Sequence, residues 1–104
     1  MASSAQHSVE GRSEPRDEVH HRARVHDPDG RPIMLLVVNI SAGGLMARCD
    51  LGFDIGQVIR VQLPLVGPVA AEIRWSLGGR IGCRFHQPVP STTYDALLAA
   101  LTKS

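Results

Sequence analysis

Short apolar runs, each closed off by turn residues, leave this chain few folds to adopt. Ile33-Met34-Leu35-Leu36-Val37-Val38 is rich in branched side chains and too short for a comfortable helix, so it reads as a buried strand. Residues 19–26 alternate instead, with Val19, His21, Ala23 and Val25 set against His20, Arg22, Arg24 and His26. A period of two marks a half-exposed strand. Asp27-Pro28-Asp29-Gly30 between these segments is a turn by composition, with Gly30 suited to the left-handed residue. The second strand then covers residues 32–40, and further strands fall at 45–49, 58–63, 69–75 and 80–86. Phe53 and Ile55, in the loop before residue 58, are expected to tuck back onto the core. Leu77-Gly78-Gly79-Arg80 carries a glycine pair suited to a primed hairpin turn.

From Ser91 the period changes. Tyr94, Leu97, Leu98 and Leu101 fall at i, i+3, i+4 and i+7 behind a Pro90-Ser91-Thr92 start, which predicts one short amphipathic helix. Six linked antiparallel strands with a single terminal helix argue for an all-β, six-stranded closed barrel, because closure removes exposed edges. The helix is expected to cover one open end. Residues 1–18 are polar and nearly devoid of apolar side chains, which predicts a flexible N-terminal arm ahead of a barrel domain at 19–104.

Several functions are disfavoured at this level. The chain has 104 residues and a formal charge of +1, so broad electrostatic attraction to DNA, RNA or a membrane is not expected. Its four aromatics, Phe53, Trp75, Phe85 and Tyr94, are too few for a single-strand-binding groove. Cys49 and Cys83 lack metal-ligand spacing, and no leader or long apolar span is evident. That pattern suits a cytoplasmic protein with buried, inert thiols. His20 and His21 are consecutive on a strand and point to opposite faces, which defeats chelation by the pair. Ser41 has no G-x-S-x-G setting and no identifiable base, and no carboxylate has a reason to be buried and tuned, so catalysis is not expected.

One corner stands apart: Asn39-Ile40-Ser41-Ala42-Gly43-Gly44, at the mouth of the apolar strand. Its polar side chains can serve local turns. The same residues could expose an amide, a hydroxyl and bare backbone N–H groups to an anion, with Gly43 and Gly44 admitting a flat ring or supplying positive φ. A cation would have to come from elsewhere, and the polar arm carries two, Arg12 and Arg16. Arginine grips phosphate or the guanine O6/N7 edge in bidentate fashion and stacks on bases.

Arg12-x-x-x-Arg16, a hairpin, and Asn39-x-Ser41-x-x-Gly44 resemble the two motifs of the PilZ family of bacterial cyclic di-GMP receptors. Ala71-Glu72-Ile73-Arg74-Trp75 and Arg80-Ile81-Gly82-Cys83-Arg84-Phe85 are similar to that family's closing strand pair. The resemblance implies a six-stranded antiparallel barrel. It implies that Arg12 and Arg16 hold phosphate and guanine, that Asn39 and Ser41 take the other guanine and phosphate, and that Gly44 allows close approach, with Gly43 a further ligand-binding candidate from the corner itself. Trp75 is a secondary candidate for the site, with a core aromatic as the alternative. Gly11 stands where many relatives carry a further arginine, which points to one ligand molecule rather than a stacked pair. The expected partners are cyclic di-GMP, with no other cofactor, and a downstream protein. The competing expectation is a PilZ-like interaction module that binds no nucleotide.

Overall fold

The computed structural model describes residues 15–102. The chain forms β1 (Asp17–His26), β2 (Pro32–Ser41), β3 (Gly44–Arg48), β4 (Val58–Leu63), β5 (Gly67–Leu77), β6 (Arg80–Phe85) and α1 (Ser91–Thr102). All neighbours are antiparallel, and the sheet closes as a barrel in the order β1-β2-β3-β6-β5-β4. The expected fold is the observed one. Asp17 and Glu18, assigned above to the arm, instead open β1 by pairing with Ile40 and Asn39. The arm's remaining residues up to 14 lie outside the described residues.

The barrel is filled by branched residues, as the scarcity of aromatics requires. Val25, Val37, Ile40, Leu45, Ile59, Val61, Ile73 and Ile81 are all buried in one cluster, with Phe85 the aromatic in it. Leu97 and Leu101 of α1 join that cluster, and the helix rests against β1. Phe53 packs against the core as expected, whereas Ile55 is 69% exposed and does not.

Turn chemistry accounts for the hairpins. Gly30 sits at φ 87°, and the Asp27 carboxylate accepts the main-chain N–H groups of Asp29 and Arg31 at 2.9 and 2.8 Å. Gly78 and Gly79 both have positive φ, 61° and 77°, as a primed turn between twisted strands demands.

Two bulges decide what the outer surface carries. Side chains alternate across a strand, so Asn39 should share the inward face of Val37, and Trp75 that of Ile73. An extra residue between Val37 and Asn39 in β2, and another between Ile73 and Trp75 in β5, reverse the sense at each place. Asn39 and Trp75 therefore face outward while Ile40 and Ile73 stay buried.

Candidate functional site

Cross-strand register lines up an outward row across the barrel wall: Asn39 of β2 opposite Met46 of β3, Met46 opposite Gly82 of β6, and Gly82 opposite Trp75 of β5. Adjacent strands are about 4.8 Å apart, so this row spans roughly 14 Å. Arg16 reaches it from just before β1. Its Nε and Nη2 donate to the Asn39 Oδ1 at 3.1 and 2.7 Å. The Asn39 amide nitrogen in turn donates weakly to the Met46 sulfur at 3.7 Å. The second arginine of the first motif thus meets the first residue of the second. Arg12 lies outside the described residues.

Trp75 is not a core aromatic. It is 39% exposed. A Cβ placed on Gly82 would fall 2.1 Å from the indole Nε1, so the ring lies flat against the glycine backbone. Glycine is required there because any side chain would lift the ring. A platform results, one indole face on the barrel wall and the other open.

The corner itself departs from expectation in two ways. Ser41 is 1% exposed, and its hydroxyl serves the turn: it accepts the Gly43 N–H at 3.3 Å and donates to the Gly44 carbonyl at 3.5 Å. Neither glycine of the pair has positive φ. The close approach at Gly44 comes from the protein, since a Cβ there would lie 2.1 Å from the Cys83 carbonyl oxygen on β6. Phe85 donates to the Gly43 carbonyl and Val89 to that of Ala42, both at 2.8 Å. Carbonyls of the corner are thereby bound to the chain's own C-terminal third.

Sequence reasoning missed a joint behind the corner. The Tyr94 hydroxyl of α1 donates to the Asp17 carboxylate at 2.7 Å and lies 3.1 Å from the Ile40 carbonyl. Asp17 adjoins Arg16, and Ile40 adjoins Asn39, so the helix is tied to both halves of the site. Met46 and Gly82 were missed as well; a glycine inside a strand, beside a tryptophan's register, is the signal that would have found Gly82. Among the described residues, no group of three or more His, Cys, Asp or Glu side chains is arranged to hold a metal. No described helix is long and apolar enough to cross a membrane.

The closed antiparallel barrel thus carries a polar and aromatic row on its outer wall. Residues 10–103 match the family model of the PilZ domain, and the chain belongs to that family, whose members are non-catalytic adaptor modules. No curated protein matches the chain.

Proposed function

We infer that this protein is a cyclic di-GMP receptor and adaptor, and that its ligand sits on the outer row beginning at Arg16 and Asn39. The observation that carries the reading is the meeting of those two side chains at 2.7 Å. They are 23 residues apart, and each falls in one of the two stretches that resemble the family's motifs. An arginine on a neutral amide is held by hydrogen bonds without charge pairing, so a phosphate or guanine can displace it and gain a charge-assisted contact. Arg12 joins from the preceding segment, and Asn39 turns to the base edge. Gly43, Gly44 and the buried Ser41 act from below by fixing the corner. The exposed face of Trp75 offers a base a stacking surface.

Binding orders the segment that carries Arg12, an entropic cost subtracted from the contact energy. The ordered segment and ligand then form a new surface for a downstream protein, a switch by order change in a cytoplasmic setting. Calorimetric titration with cyclic di-GMP tests the ligand, and backbone amide shifts in the same titration test the ordering. Saturable heat with shifts at Arg16, Asn39 and the preceding residues is expected. A silent titration at tens of micromolar ligand would instead favour the interaction module without nucleotide, in which the inward Ser41 hydroxyl serves the turn.

A further inference from the structure

Two residues beyond the Asn39–Met46–Gly82–Trp75 row, away from the corner, the register gives a second outward row. Arg22 of β1 is opposite Leu36 of β2, Leu36 opposite Arg48 of β3, Arg48 opposite Arg80 of β6, and Arg80 opposite Leu77 of β5. Arg48 and Arg80 are exposed, and their inward neighbours Ala47 and Ile81 are buried, so both guanidinium groups stand on the outer wall. Like charges directly opposite on an antiparallel pair repel and destabilise the sheet. Relief would come from a carboxylate, yet among the described residues neither arginine has an ion-pair partner. The Asp50 carboxylate lies beside Gly79, 3.9 Å from where a Cβ on that glycine would fall. On the other side of the site Glu72 lies directly opposite Arg84, with its carboxylate paired to Arg74 at 3.1 Å. The flank bearing Arg48 and Arg80 is the one that sets two arginines directly opposite each other.

We propose that Arg48 and Arg80 form a phosphate-binding pair that completes the nucleotide site from the side opposite the corner. The inference rests on the cyclic dinucleotide reading and deepens it. A cyclic dinucleotide carries two phosphodiesters on opposite sides of one ring. Laid over Met46 and the Trp75 platform, it presents one to the Arg16 and corner side and the other to the side of Arg48 and Arg80. The two rows are about 7 Å apart along the strands, within reach of a long arginine side chain folded back toward Gly82. Two guanidinium forks meeting one diester turn a repulsive cross-strand pair into a charge-assisted clamp. Leu77, 80% exposed beside Arg80, leaves that approach open.

The test is a titration of cyclic di-GMP into the full chain followed by calorimetry and by the fluorescence of Trp75, the sole tryptophan. Arg48→Gln and Arg80→Gln are each expected to weaken binding about tenfold, and the double variant by more. Arg60→Gln, an equal loss of charge on an exposed residue of β4, should leave affinity within twofold. Without ligand, either variant of the pair should melt at or above the wild-type temperature, because a repulsion is removed. If the wild type binds and quenches Trp75 but both variants bind as it does, or if Arg60→Gln weakens binding equally, the phosphate pair is overturned and the receptor reading stands. If the wild type gives neither heat nor quenching, the receptor reading fails and takes this proposal with it. A lower melting temperature in the unliganded variants would show a structural role and also count against the pair.

Discussion

Arg16 places two N–H donors on one amide oxygen, and a neutral amide offers little to hold them against a phosphate. The pair is exposed, so Arg16→Ala should change unfolding free energy by no more than about 0.5 kcal/mol. Its effect on ligand binding should be larger, a loss of about 2–4 kcal/mol, because a desolvated anion would be left without its partner. Calorimetry beside a denaturation curve separates the two; equal affinity for wild type and variant would remove Arg16 from the site. Cys83 shows the opposite case, a titratable group the core has silenced. Burial, with a smaller contribution from nearby Cys49, pushes its thiol from 9.0 up to about 12. Below pH 9 the thiol is protonated whether folded or not and has no effect on stability. Above pH 9 the unfolded chain releases that proton while the folded chain keeps it, so unfolding becomes easier as pH rises toward 12. The loss approaches about 1.4 kcal/mol per pH unit in that window. Cys83→Ala should flatten the alkaline slope of stability measured by urea midpoints from pH 8 to 11, and an unchanged slope would refute the assignment.

At the scale of single elements, strand positions were legible because the two signals that set them are local. Branched runs and turn residues mark β4 at the same limits in sequence and structure, and other strands within two residues. The sense of each side chain was legible only where a strand is regular. Asn39 and Trp75 share parity with buried Val37 and Ile73, and only pairing with neighbours inserts the bulges that turn them outward. A register is a property of two strands, so one strand's sequence could not show it. Gly44 illustrates the same limit. Its lack of a side chain looked like room for a ligand, and the structure gives that room to the Cys83 carbonyl of β6. Gly44→Ala should therefore act on stability through the β3–β6 seam, costing about 1–3 kcal/mol or more as other overpacked sites do. Circular dichroism melts measure it, and a variant that melts with the wild type but loses ligand would return Gly44 to the site.

The whole molecule is closed by connections no local pattern announces. The segment between β3 and β4 carries the chain across the barrel, so that β4 lies between β1 and β5 while β3 pairs with β6. Closure in that order brings the start of β1, the end of β2 and α1 to one place, where Tyr94 meets Asp17 and the Ile40 carbonyl. Helical spacing alone had made Tyr94 one of four packing residues; the partners of its hydroxyl are 77 and 54 residues away, beyond any periodic reading. Removing that oxygen in Tyr94→Phe keeps the ring against the core and strips the joint of its donor. Asp17 is half-buried and can turn to water, whereas the Ile40 carbonyl belongs to a buried residue and cannot move far. The expected cost is about 1–2 kcal/mol, seen as a lower urea midpoint with an unchanged slope. Because α1 is tied to the residues beside Arg16 and Asn39, amide exchange should quicken both in the helix and at the start of β1. Faster exchange in the helix alone would show that Tyr94 anchors α1 without linking it to the site.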